Sequence, residues 1–438
     1  MSSFKEVVNR QYSIDELPMK DNSTYEEDYL EVLSDQNPPN YSSQIRCELK
    51  DVNNFTNLSK GYLELRVRVE TNVGAGGNLG AADNVAIVNN VASIFSRTVC
   101  RINNVVVETN ELAHYSNHLK SLLEFSSDYA ASVGSNMGVS PDTDAHTATA
   151  AALLPTNAAG AYNEGHNKGF YDRRKLATEN VATNQTYHIP LTHLFGCCLN
   201  KVMMNNQFSI ELTRNSDVVC LYGADAANKR IKIDRCSLWL PRITPSPLVQ
   251  AQLLGAISGG VVSPYMFHTW SAYDSNVVDP NSSITQRVIT QSERPVWVFT
   301  YATLADITQT ASPYHTPANS LDRVQCRVNG KLMPSVEFSD LTSSLGQSRT
   351  YNELVKYASS YMNSRDGILI NKDDYKHNLV VGFDCRALPE NLARSGNTIE
   401  VIAKVGATGA GMRLHTCVVS QKAFDMTYGG GVPTITML

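Results

Sequence analysis

Apolar and polar positions alternate strictly over residues 62–70 (YLELRVRVE), with Leu63, Leu65, Val67 and Val69 on one face and Glu64, Arg66, Arg68 and Glu70 on the other. A period of two is that of a strand with one buried face. A second alternating run, residues 98–102, enters Asn103-Asn104 and leaves through 105–107; a third, 324–328, enters Asn329-Gly330 and leaves through 331–333. Both dipeptides tolerate positive φ, so each predicts a tight β-hairpin with a primed turn.

The two hairpins are copies. Cys100-Arg101-Ile102-Asn103-Asn104 returns as Cys326-Arg327-Val328-Asn329-Gly330, and the flanking order returns with it. Upstream lies a strand (62–70; then 296–301, an apolar run buried on both faces). Downstream lies a helical stripe. In the first copy it is Leu112, Tyr115, Leu119, Leu122 and Leu123, with Asn110 placed as cap. In the second it is Tyr351, Leu354, Ala358 and Tyr361, with Thr350 and Glu353 as a capping box. Strand-like runs close each copy, 208–213 and 231–240, then 399–405 and 414–419. A repeat of this length is a domain, since solenoid units run roughly 20–50 residues.

Strand-rich halves with few helices predict an all-β fold of two antiparallel sandwiches with short helices in connecting loops. The boundaries read as an N-terminal arm at 1–44 that orders against a partner, a first sandwich at 45–244, a linker at 245–262, a second sandwich at 263–428 and a tail at 429–438. Within the linker, 249–257 reads as a short helix. The apolar parity switches around Asp234, the sign of a β-bulge or of two consecutive strands. Residues 126–167 form an Ala-, Ser- and Gly-rich exposed insertion, with 305–319 as its counterpart, and both are expected to project from one end as outer loops.

Charge narrows the function. Charged residues are 18% of the chain, below the roughly 25% usual for soluble domains, so the surface is largely neutral-polar. A net charge of −5 and the absence of any basic run exclude a dominant, sequence-specific nucleic-acid role. No apolar leader and no membrane-length segment is present, and the nine cysteines are odd in number and set in apolar runs, which reads as reduced core thiols made inside a cell.

Candidate chemistry is thin. His114 and His118 stand four apart on a helix but lack the glutamate of a zinc protease motif, and read as surface histidines. Cys197-Cys198 is too close for a CxxC site. Gly74, Gly76, Gly77 and Gly80 miss the phosphate-loop spacing, and Asp142 with Asp144, or Asp373 with Asp374, lacks the rest of a calcium loop. Trp239, Trp270 and Trp297 sit in apolar runs and read as core. No catalytic, cofactor-binding or metal-ligating residue is therefore assigned.

The order of motifs resembles the major capsid proteins of Polinton-like viruses and adintoviruses. Residues 89–96 running into 100–104, then Leu122-Leu123-Glu124-Phe125, are similar to their strand, hairpin and helix. Asn167-Lys168-Gly169-Phe170-Tyr171-Asp172-Arg173-Arg174 is similar to a Gly-Phe-x-x-Arg segment of theirs, 324–334 to their second hairpin, and Asp373-Asp374-Tyr375 with 379–384 to a late element. The resemblance spans most of 60–428. It implies a double jelly roll that forms homotrimers, pseudo-hexameric capsomers of an icosahedral shell enclosing DNA, with neighbouring capsomers, penton and minor capsid proteins as partners and no cofactor. The expected location is the virion, after synthesis inside a host cell without secretion, with membrane contact left open. The rival readings are a minor capsid or spike protein on the same fold, and a carbohydrate-binding β-sandwich.

Overall fold

One side of each alternating run is apolar and can be buried only against a second sheet, and that is what these segments do. The computed structural model describes residues 24–438 apart from 51–54, 73–76, 81–82, 144–165, 180–184, 291–293, 362–366, 388–396 and 430–431. The first half contains β1 (Thr24–Leu33), β2 (Gln44–Leu49), β3 (Tyr62–Thr71), β4 (Phe95–Ile102), β5 (Val105–Asn110), β6 (Gln185–Pro190), β7 (Phe208–Arg214) and β8 (Lys229–Pro245). The second contains β9 (Val262–Val278), β10 (Ser283–Thr290), β11 (Arg294–Leu304), β12 (Leu321–Val328), β13 (Lys331–Phe338), β14 (Val380–Asp384), β15 (Asn397–Val405) and β16 (Met412–Thr427).

The sheets are antiparallel and run β6-β3-β8-β1 and β2-β7-β4-β5, then β14-β11-β16-β9 and β10-β15-β12-β13. Adding eight to each strand of the first half gives the order of the second. Each half is thus a jelly-roll sandwich, and the short strands Phe55–Asn57 and Thr434–Met437 lengthen one sheet of each.

The duplicated hairpin repeats to the level of single hydrogen bonds. Cys100 lies opposite Ile210 in β7, and Cys326 opposite Val401 in β15. Asn103 and Asn104 take φ of 50° and 64°, Asn329 and Gly330 50° and 79°. Asn103 Oδ1 accepts from the Gln207 N–H at 2.8 Å and its Nδ2 donates to Asn206 Oδ1 at 2.9 Å. Asn329 makes the same pair of bonds, to Thr398 N–H and Asn397 Oδ1, both at 2.8 Å.

Four helices matter below: α1 (Ala113–Glu124), α2 (Lys168–Glu179), α3 (Pro247–Ser258) and α4 (Ser344–Lys356). The linker helix is α3, with Pro247 in its first turn. Asp234 marks a bulge inside one continuous strand, β8, where the pairing with β3 slips between Ile233 and Arg235.

Several expectations need correction. Residues 24–33, assigned to an arm ordered by a partner, form β1, which pairs with β8 of the same chain from Thr24 opposite Pro245 to Leu33 opposite Ser237. Acids stand at both parities of this segment, Glu26 and Asp28 as well as Glu27 and Glu31, which hid a strand whose Leu30 and Val32 pack on the core. Asn110 does not cap α1; Leu112 precedes it, and Asn110 Nδ2 donates to Ser116 Oγ at 2.6 Å. Helix α4 starts earlier than expected, capped by Ser343, so Thr350 is a buried mid-helix residue bonded back to Gln347 O.

The loops differ too. The insertion begins with a short helix, Ser127–Ala131, and buries Met137 and Asp142, while 144–165 lies outside the described residues. Loop 305–319 clasps the first half: Gly223 N–H donates to Gln309 O at 2.7 Å, and Tyr314 is buried in the first core.

Candidate functional site at the seam between the halves

The densest polar chemistry lies where the two sandwiches meet. The leucine stripe of α1 cannot be satisfied by its own half. Leu119, Leu122 and Leu123 instead join the core of the second half, against the outer face of β14-β11-β16-β9 that carries Trp270, Trp297 and Phe299. Those three rings stack in a row, 5.4 Å from Trp270 to Phe299 and 5.8 Å from Phe299 to Trp297. On the same face Tyr115 of α1 meets His415 at 3.9 Å between ring centroids.

Polar groups stitch the seam. Glu108, at the edge strand β5, accepts from Thr269 Oγ1 of β9 at 2.7 Å and from the Cys197 N–H at 3.0 Å. Glu124 Oε1 accepts from Trp270 Nε1 at 3.1 Å and from Tyr357 OH at 2.9 Å. Lys120 Nζ donates to His193 O at 2.8 Å. The backbones of the two halves approach so closely that a Cβ on Gly196 would stand 1.7 Å from His268 O. Around Lys120, Glu124, Gly196, His268, Trp270 and Tyr357 a cleft of about 390 Å³ remains.

Burial governs the charges here. It pushes the Glu108 carboxyl up to about 7, with Cys197 adding to the shift and Lys120 opposing it. It raises Glu124 as well. The same desolvation lowers His114 and His118 to about 4 and His193 to about 3. The histidines of the seam are therefore neutral near pH 7, while Glu108 titrates in that range.

The histidines reverse the expectation of a surface pair. His114 and His118 are both buried, and His118 stacks on Tyr314 at 4.4 Å, because loop 305–319 covers α1 from the other half. Sequence periodicity cannot show a face covered by a segment about 200 residues away. Cys197 and Cys198 are buried thiols as expected, with Cys197 Sγ 3.4 Å from Cys100 Sγ. Trp270 and Trp297 are core, but Trp239 is only half-buried: it stacks on Tyr62 at 6.2 Å on the open outer face of β6-β3-β8-β1.

The remaining candidates are structural. Asp142 accepts from Arg173 Nη2 at 2.7 Å, and Arg173 also donates to Tyr222 OH at 2.6 Å and to Ile87 O at 2.9 Å, so α2 is keyed to the first sandwich by a buried ion pair. In the same segment Phe170 is buried, Asn167 Oδ1 accepts from its N–H, and Gly169 admits Pro141 O. Asp144, Gly74 and Gly76 lie outside the described residues. Gly77 and Gly80 donate to Thr71 Oγ1 and Asp83 Oδ2 in a turn. Asp373 is exposed, and Asp374 accepts from Asn371 Nδ2. Among the described residues no group of three or more His, Cys, Asp or Glu is placed to hold a metal ion, and no helix is long and apolar enough to cross a membrane.

No protein-family model and no curated protein matches this chain. Solved structures do. A chain of the Sputnik virophage, seen by cryo-EM, is 12% identical with a TM-score of 0.63, covering 100% of this chain and 93% of that one. The mavirus major capsid protein is 9% identical with a TM-score of 0.56, covering 100% and 96%. A chain of the PBCV-1 virus capsid is 10% identical with a TM-score of 0.52, covering 96% and 99%. The shared feature is the fold, and this chain is a double jelly roll.

Proposed function

We propose that this chain is the major capsid protein of a virus, three copies forming a pseudo-hexagonal capsomer and many capsomers tiling an icosahedral shell around a DNA genome. The observation that carries the reading is the strand-for-strand duplication, which a solved major capsid protein parallels over the length of the chain. Three double sandwiches place six similar blocks around one axis, a closed ring. The low charge suits broad contacts between capsomers. Neighbouring capsomers, penton and minor capsid proteins are then its partners, the virion its location, and its role is structural.

Mass measurement of the soluble protein tests the capsomer: three chains of 48.1 kDa are expected. In purified particles the chain should be the main component by mass; a trace amount would favour the minor-protein reading. Among the described residues the half-buried Tyr62–Trp239 stack is the feature that favours sugar binding. Glycan binding abolished by Trp239→Ala would support that alternative.

A further inference from the structure

We propose that Cys100 and Cys197 are a modification site: a small peroxide reaching the seam converts the two thiols into a disulfide, which fastens the segment facing the second half to the first sandwich. The assignment is independent of the capsid reading.

The two sulfurs already touch. Cys197 Sγ lies 3.4 Å from Cys100 Sγ, both residues are fully buried, and they stand 97 positions apart in the chain. A disulfide needs about 2.05 Å, so the sulfurs must close by roughly 1.4 Å. Cys100 is fixed, since it sits mid-sheet, opposite Ile210 of β7 on one side and Glu108 of β5 on the other. Residues 195–201 belong to no helix or strand, so Cys197 can move without breaking a ladder. Cys198 is the rival partner, and the covalent chain argues against it. The 197–198 peptide is trans, which holds neighbouring Cα atoms about 3.8 Å apart, short of the roughly 4.4–6.8 Å that a disulfide spans.

The two thiols have different roles. Hydrogen bonds from Cys100 and Cys198 hold the Cys197 thiol well below its ordinary range, whereas burial pushes Cys100 up. Cys197 is therefore the attacking sulfur. Access selects the oxidant. Gly196, adjacent to Cys197, lines the cleft of about 390 Å³ at the seam, which brings hydrogen peroxide to within one residue of the sulfur, while burial shields it from a bulky oxidant such as oxidised glutathione.

The chemistry takes two steps. The Cys197 thiolate attacks a peroxide oxygen; an S–O bond forms, the O–O bond breaks, and the departing hydroxide takes up the thiol's proton as water, leaving Cys197 as the sulfenic acid. Cys100 Sγ then attacks Cys197 Sγ; the S–S bond forms, the S–O bond breaks, and hydroxide leaves with the Cys100 proton as a second water. The two sulfurs give up two electrons and the peroxide gains them. The new bond closes a long loop in the unfolded chain. It also anchors the stretch that sets Gly196 against His268 O and Cys197 N–H on Glu108, the carboxyl that accepts from Thr269 of β9.

The test exposes the full chain, purified under reductant and then freed of it, to hydrogen peroxide under native conditions. Remaining thiols are alkylated in denaturant, and disulfides are mapped by non-reducing peptide mass spectrometry. A Cys100–Cys197 link is expected, in a protein whose unfolding temperature rises by about 5 °C or more; oxidised glutathione should leave both thiols free. In Cys100→Ser the Cys197 sulfenic acid has no partner and should be trapped by dimedone, whereas Cys197→Ser should leave Cys100 reduced. A Cys197–Cys198 link, a sulfinic acid at Cys197 of the unaltered protein, both thiols recovered after peroxide, or a link formed equally fast by oxidised glutathione overturns the assignment. Because the mapping uses the unaltered chain, it decides the matter even where a serine variant fails to fold.

Discussion

Acid should loosen the seam, and the size of the effect follows from its buried groups. His114, His118 and His193 have folded pKa values near 4, 4 and 3 against 6.5 for the free side chain. A histidine kept neutral by burial contributes stability that is fully present above pH 6.5 and is lost as pH falls toward its folded pKa. At pH 5 each of the three has lost about 2 kcal/mol relative to alkaline solution, and between pH 7 and 5 together roughly 5–6 kcal/mol. Glu108 works the other way. Its pKa rises on folding from 4.5 to about 7, so protonation across that window favours the folded form, by about 2 kcal/mol between pH 7 and 5. Glu124, raised by burial, acts in the same sense as Glu108, and buried His415 adds to the histidine loss; the histidines win, leaving a net loss on the order of a few kcal/mol. Guanidinium unfolding at fixed protein concentration, followed by the fluorescence of buried Trp270 and Trp297, reads this directly. His118→Gln should flatten the slope between pH 7 and 5 by about one histidine's share. Equal or greater stability at pH 5 would refute the reasoning.

Three further outcomes follow from single contacts. Gly196→Ala places a Cβ 1.7 Å from His268 O, so the halves must separate locally; a loss of about 1–3 kcal/mol in unfolding is expected, together with faster proteolysis at the seam. Asp142→Asn leaves the buried Arg173 guanidinium without its countercharge and should cost about 3–5 kcal/mol in thermal or denaturant unfolding. Asn103→Ala removes three side-chain hydrogen bonds, to Asn206, Gln207 and Pro433, and Asn329→Ala those to Asn397 and Thr398, each with a residue suited to positive φ; unfolding measurements should show losses of about 1–3 kcal/mol at both, the larger at Asn103.

What could be read from the chain was local or repeated. The hairpin turns at Asn103-Asn104 and Asn329-Gly330, the bulge at Asp234 and helix α3 all have their signals within a few residues, and the copy at Cys326 confirmed the reading at Cys100. What could not be read depends on a distant cover. Strand β1 is defined by β8, about 200 residues away, and its acids fall at both parities, leaving no alternation to notice. His114 and His118 look solvated on a helical wheel until Tyr314 and the second sheet are set over them. Trp239 misled in the opposite sense: an apolar run placed it in a core, but its strand has one face open. The glycine at 196 carried no sequence signal, since its requirement arises only from the backbone of β9.

The leucine stripe of α1 also has a consequence for how the protein is made. Its resting place includes β16, which begins at Met412, almost 300 residues after α1 has left the ribosome. At about 5–20 residues per second, translation leaves Leu119, Leu122 and Leu123 without their full cover for roughly 15–60 seconds, with only β9 and β11 made part-way through. During that interval the nascent chain carries an apolar helix whose cover is incomplete, so this helix is a segment by which a chaperone would hold the chain until β16 arrives.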